Sequence, residues 1–290
     1  MIDYLLLGVV CLLTGLRLIF NKLYADQYGA GLRSVYWFTA LSCTVFVLCM
    51  LLVGTRPKAT PFSLGVAAVF VVINLLCTYY GFAVIHVGNL SRYMLFLSLG
   101  GMVLPFLYGI FFNGDHLSVG RVLCLLLISA ALLFGMDRSG QGSAKARFYY
   151  IMIFLLNGAA CILLSLHQTN PAHLPAVGTA EFTVLYMTML AGVGFLLVLA
   201  LRLREGSATT PIRHGPDLLL SAGYGLFFGL GNYLTTLCLL HVEPSFQFPI
   251  VTGGSVVLSG LCGRLFGEKL GRAFLWSSVL VVLGTVAVLF

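Results

Sequence analysis

The sequence predicts an all-α integral membrane protein, with about ten transmembrane helices arranged as two inverted five-helix repeats. Three observations predict it. The 290-residue chain is 60% hydrophobic and only 9% charged, with a mean hydropathy of +1.03, whereas a soluble domain carries about 25% charged residues. Apolar runs of spanning length recur along the whole chain. One short text also occurs twice, half a chain apart. Gly100-Gly101, Gly114-Asp115-His116-Leu117 and Gly120-Arg121 recur as Gly253-Gly254, Gly267-Glu268-Lys269-Leu270 and Gly271-Arg272, with the glycine pair and the acidic turn both shifted by 153 residues.

A spanning helix needs about 20 mainly apolar residues. The first such run, about 3–23, follows Met1-Ile2-Asp3, which lacks the basic start of a signal peptide, so it reads as a retained helix. The second, about 32–54, stops at Gly54-Thr55-Arg56-Pro57-Lys58, and the third, about 62–86, closes on His86-Val87. The fourth, about 90–113, carries the first glycine pair and Pro105 and runs into the first acidic turn. The fifth, about 118–136, opens on Gly120-Arg121 and ends at the polar linker 137–143. That linker separates a first repeat, 1–140, from a second, 146–290, within one membrane domain.

The second repeat reads in the same order. Its runs are about 147–168, about 178–202 (ended by Arg204-Glu205-Gly206-Ser207 and Pro211), about 216–241, about 245–266 and about 272–290. His241-Val242 closes the eighth run as His86-Val87 closes the third, 155 residues apart. Leu12-Leu13-Thr14-Gly15 matches Leu155-Leu156-Asn157-Gly158 at a shift of 143. Five spans is an odd number, so the second half enters the membrane the other way up.

Charge and cysteine usage agree with a lipid setting. The formal charge of +7 comes from basic residues at the ends of apolar runs, which points to lipid headgroups and orientation, not to nucleic acid. Loops after the odd-numbered helices hold 12 Lys and Arg against 3 for the even-numbered loops, which places the odd loops in the cytoplasm. The eight cysteines lie inside apolar runs without CxxC spacing, so they read as small buried hydrophobes, with no metal set and no disulfide framework. No HExxH, Gly-x-Ser-x-Gly or Walker pattern is present. A membrane-embedded enzyme acting on a lipid-linked substrate is the alternative function, and it would need a catalytic cluster near one interface.

The paired Gly-Asp and Gly-Glu turns, the glycine that opens each closing helix, and the run Phe248-Pro249-Ile250-Val251-Thr252-Gly253-Gly254-Ser255 together resemble the drug/metabolite transporter superfamily, specifically the EamA-like ten-helix permeases. The resemblance covers essentially the whole chain. It implies a multi-pass protein of the cell membrane that moves a small polar or amphipathic metabolite (amino acid, amine, nucleobase or drug-like solute) by alternating access, without cofactor or metal. It also implies a central cavity lined by helices one, three, four, six, eight and nine. Both termini would then be cytoplasmic, the reverse of the charge count, so orientation stays open. The partners are a small-molecule substrate and the bilayer. A proton or a counter-substrate as coupling partner is left open, as is monomer against homodimer.

Individual residues carry this expectation. Arg17 lies inside the first helix and shares a face with Thr14 and Asn21; it either faces a cavity or snorkels to the helix end. Asn74, Asn157 and Asn232 fall near the middles of helices three, six and eight, where an amide either lines a cavity or bonds a neighbouring helix. Tyr80, Tyr93 and Tyr233 would form an aromatic wall, and Gln247 completes the substrate-binding candidates. Gly100, Gly101, Gly253 and Gly254 are either packing contacts or helix hinges. No carboxylate occupies a helix centre, so proton coupling would fall to Glu181, His86 or His241, the histidines being otherwise hydrogen-bonded interfacial residues.

Overall fold

The computed structural model describes residues 2–29, 31–87, 90–112, 114, 118–135, 144–170, 173–205, 216–267 and 271–288. They form ten α-helices in chain order: α1 (Ile2–Tyr28), α2 (Leu32–Leu52), α3 (Pro61–Val87), α4 (Leu90–Phe112), α5 (Val119–Gly135), α6 (Ala144–Thr169), α7 (Thr179–Glu205), α8 (Pro216–Cys238), α9 (Pro244–Leu265) and α10 (Arg272–Ala287). No strand occurs among the described residues. Helix is what such a chain must form, because only internal bonding satisfies backbone polar groups in hydrocarbon.

Seven of these helices, α1, α2, α3, α4, α6, α7 and α9, are long and apolar enough to cross a membrane. The protein is a multi-pass membrane protein. Its outer surface fits lipid, with Leu5, Leu126, Leu196, Leu219 and Leu261 all more than half exposed. The sequence expectation of about ten spans is broader than these seven. In α5 and α10 the apolar stretches are short, Val119–Ala131 and Phe274–Ala287. In α8 four glycines, Asn232 and two threonines dilute the apolar character.

Helix ends follow the turn chemistry. Gly29, Gly54, Gly114 and Gly267 have φ of 72°, 95°, 73° and 75°, a left-handed conformation that glycine adopts without penalty. Gly114 and Gly267 open the two acidic turns, and their φ values agree within a few degrees. Asp115 and Glu268, the acids of these turns, lie outside the described residues. Arg121 forms an ion pair with Glu243, just ahead of α9. Helix α8 stops at Cys238, short of the expected end, and Leu239–His241 make a turn.

Packing is cross-wise between the two halves. Helix α4 lies against α6 and α9; α1 against α8 and α9; α3 against α6 and α7; α2 against α7 and α8; and α5 against α10. Small residues permit the closest crossings. A Cβ on Gly100 would collide with the main chain of Phe154, and one on Gly225 with the main chain of Ser42. Three apolar clusters result. One joins α2, α3, α6, α7, α8 and α9 around Phe46, Phe70 and Tyr186; a second joins α1, α2, α3, α4 and α6 around Tyr24, Phe38 and Phe82; a third joins α4, α5, α9 and α10 around Leu99 and Val281. All eight cysteines are free, six buried and two half-buried, as their apolar setting predicts.

Candidate functional site

A cavity of about 120 Å³ lies between α1, α3, α4, α6, α8 and α9. At roughly 10–15 Å³ per water position, that is room on the order of ten non-hydrogen atoms. Each helix contributes a single face. From α1 come Thr14, Arg17 and Asn21, one turn apart as the i, i+3, i+7 spacing predicts. From α3 come Asn74, Cys77 and Thr78, flanked by Phe70 and Phe82. Helix α4 presents Tyr93, Leu97, Ser98 and Gly101, and α6 presents Asn157, Cys161 and Leu164. Helix α8 presents Tyr224, Phe228, Asn232 and Thr235, and α9 presents Phe248, Val251, Thr252 and Ser255.

Among the described lining residues Arg17 is the one charged side chain. Its guanidinium sits 5.2 Å from the Phe228 ring centroid, a cation–π contact. No carboxylate among the described residues pairs with it. Two amides are fixed by carbonyls: Asn74 Nδ2 donates to Phe70 O in its own helix at 3.2 Å, and Asn157 Nδ2 donates to Leu97 O across to α4 at 2.7 Å. Asn21 is 5% exposed, and its buried Oδ1 has no partner among the described residues. Thr252 Oγ1 donates to Ser98 O at 3.2 Å, joining α9 to α4 at the wall. Pro105 supplies no N–H to the carbonyl one turn before it, and that carbonyl belongs to the lining residue Gly101.

Aromatic layers flank the cavity along the helix axes. Toward the α1–α2 end, Tyr24, Phe38, Phe82 and Tyr224 pack with centroids 4.2 to 6.1 Å apart. Toward the opposite end, Phe70, Tyr186, Phe182 and His167 form a chain of ring contacts. His167 was not singled out from the sequence. It is 3% exposed, stacked on Phe182 at 3.5 Å, and its Nε2 lies 2.9 Å from Ser63 Oγ. Ser63 Oγ also bonds the Thr60 hydroxyl at 3.0 Å and accepts from the Val177 N–H at 3.1 Å.

Of the substrate-binding candidates, Thr14, Arg17, Asn74, Tyr93, Asn157 and Asn232 line this one cavity, and so does Gly101 of the hinge candidates. Tyr80, Tyr233 and Gln247 do not line it. Tyr80 packs among Tyr79, Phe148 and Tyr149, and Tyr233 packs against the cluster around Phe46. Gln247 is fully buried behind the wall, where its Nε2 holds the carbonyl of Thr235 at 2.7 Å. Gly100, Gly253 and Gly254 face Phe154, Thr285 and Cys11, close helix contacts in each case. Glu181 sits at the start of α7, 3.3 Å from Lys58 and away from the cavity lining. His241 is exposed in the turn after α8, and the side chain of His86 lies outside the described residues.

The fold is shared with solved structures. A structure described only as "Crystal structure of protein" matches with a TM-score of 0.70 over 98% of this chain and 95% of its own, at 15% sequence identity. It is one of 28 solved chains that match. At that identity the likeness shows the fold alone. No family model and no curated protein matches the chain.

Sequence reasoning missed most of the wall. Tyr224, Phe228 and Thr235 follow from Asn232 by helical spacing, whereas Tyr233 is turned about 100° from it. The same test favours Cys77 and Thr78 over Tyr80 on the face of Asn74. Asp217, 2% exposed at the start of α8, was not singled out from the sequence. It accepts from Trp37 Nε1 at 3.4 Å, a bond that ties α2 to α8.

Proposed function

We propose that the chain is a secondary active transporter of a small polar or amphipathic metabolite, working by alternating access, of the EamA-like kind within the drug/metabolite transporter superfamily. One observation carries the reading: a mid-depth cavity walled by α1, α3 and α4 from one half and by α6, α8 and α9 from the other. Two halves that share one site can rock around it.

The packing supports the inverted repeat. Exchanging α1–α5 with α6–α10 turns the α1–α8 contact into α6–α3, α1–α9 into α6–α4, and α2–α8 into α7–α3. The same exchange leaves α2–α7, α4–α9 and α5–α10 unchanged. Thr14 and Asn157, repeat partners, both face the cavity. Gly101 approaches Asn157 as its partner Gly254 approaches Cys11, each at 2.6 Å from an added Cβ. In this reading ten helices span the cell membrane, and the aromatic layers at the two ends open in turn.

The test is counterflow. Proteoliposomes preloaded with unlabelled solute should accumulate the labelled solute transiently, and empty liposomes should not. Absence of protein-dependent exchange for every small metabolite tried would remove transport as the function.

A further inference from the structure

The cavity wall states the charge pattern of its guest. Its one charged side chain among the described residues is a cation, Arg17, held in the middle of a spanning helix. A cation at that depth is costly unless paired. The Phe228 face meets it only in part, and no described carboxylate does. A planar guanidinium is built for two parallel bonds to a carboxylate.

The amides state the other half. Asn74 and Asn157 each spend their Nδ2 on a main-chain carbonyl, which can only accept, so the orientation of each amide is settled. Their Oδ1 atoms are left as acceptors on residues that line the cavity. Asn21 adds a third acceptor, buried and unpartnered, and the Gly101 carbonyl, without its helical donor, a fourth. A cationic solute would face Arg17 with no anion to hold it. A simple anion would satisfy Arg17 and set its remaining oxygens against these acceptors.

Resting on the transport reading above, we propose that the solute is a small zwitterion. Its carboxylate lies on the Arg17 guanidinium, and its ammonium donates to the side-chain oxygens of Asn74 and Asn157. The volume fits a solute with on the order of ten non-hydrogen atoms, and Phe70, Phe82 and Phe248 on the same wall favour an apolar side group.

Three near-isosteric probes separate the charges: L-leucine, the cation L-leucinamide and the anion 4-methylpentanoate. The set is repeated with L-phenylalanine, L-phenylalaninamide and 3-phenylpropanoate. Each is titrated against the purified full-length protein by thermal shift in mildly acidic buffer, then tested for counterflow. The expected result is stabilisation by at least one free amino acid, with both its amide and its des-amino acid weaker by tenfold or more. Arg17→Gln should remove the preference for amino acid over amide while leaving a monodisperse protein, and Arg17→Lys should restore it in part. Equal or tighter binding of the amides would overturn the Arg17 assignment. Equal binding of the des-amino acids would overturn the Asn74 and Asn157 assignment. Selective binding without counterflow would support the zwitterion and overturn transport. Counterflow of other solutes, with neither series bound, would overturn the zwitterion and leave transport standing.

Discussion

The side-chain amide of Asn157 donates to the main-chain carbonyl of Leu97 at 2.7 Å and so ties α6 to α4 at the cavity wall. The same amide nitrogen lies 2.6 Å from where a Cβ on Gly101 would stand. Any side chain at 101 therefore competes with this bond. Gly101→Ala should displace the amide and cost about 1 kcal/mol or more. The double variant with Asn157→Ala should cost less than the sum of the two singles, because the clash and the lost bond share one cause. Thermal melting of the four proteins in one detergent checks this; strict additivity would mean that the two residues do not compete.

Gly100 offers a sharper contrast. Its missing Cβ makes room for the main chain of Phe154, which cannot turn aside, whereas a Cβ on Gly8 would meet nothing within 4 Å. Gly100→Ala should therefore destabilise by roughly 1–3 kcal/mol, the range for overpacking, and Gly8→Ala should not. Equal melting temperatures for the two variants would contradict the close α4–α6 crossing.

Ser63 is the hub of a buried polar knot. Ser63→Ala would leave His167 Nε2 and the Val177 N–H without this partner. A loss of about 1–3 kcal/mol is expected for buried groups so stranded. Ser63→Thr should retain more stability than Ser63→Ala; the reverse order in a melting experiment would speak against the hydroxyl's role.

Two native thiols report on the cavity. Cys77 and Cys161 line it, whereas Cys43 is buried in the apolar cluster around Phe46. A small polar thiol reagent should modify Cys161 and Cys77 well before Cys43, and a transported solute should slow that modification. Peptide mapping by mass spectrometry gives the order; preferential modification of Cys43 would refute an accessible chamber.

Glu181 and Lys58 form an ion pair whose lysine side chain is 67% exposed, and such pairs contribute about 0–1 kcal/mol. Glu181→Gln should leave both melting temperature and the pH profile of flux nearly unchanged. A flattened pH profile would restore Glu181 as a coupling group.

The membrane class was legible from composition. The three residues of α1 that face the cavity were legible too, because a helix turns by a fixed angle and one charge in an apolar stretch marks its face. What the sequence hid was set by neighbours. Gln247 looks like a solute ligand until Thr235 O claims its amide. His167 drew no reading from the sequence, and its burial is set by Phe182 and Ser63 on other helices. The wall positions of Tyr224 and Phe228 were within reach of the helical period, but aromatic side chains are so common in this chain that no single one stands out.

Sided accessibility of the chamber tests the central claim most directly. A single cysteine at Ser255, a lining position on α9, is placed in a chain freed of its native cysteines and challenged with an impermeant maleimide from each face of oriented vesicles. Alternating access predicts reaction from both faces, with solute altering both rates. Reaction from one face only, whatever solute is present, would contradict it.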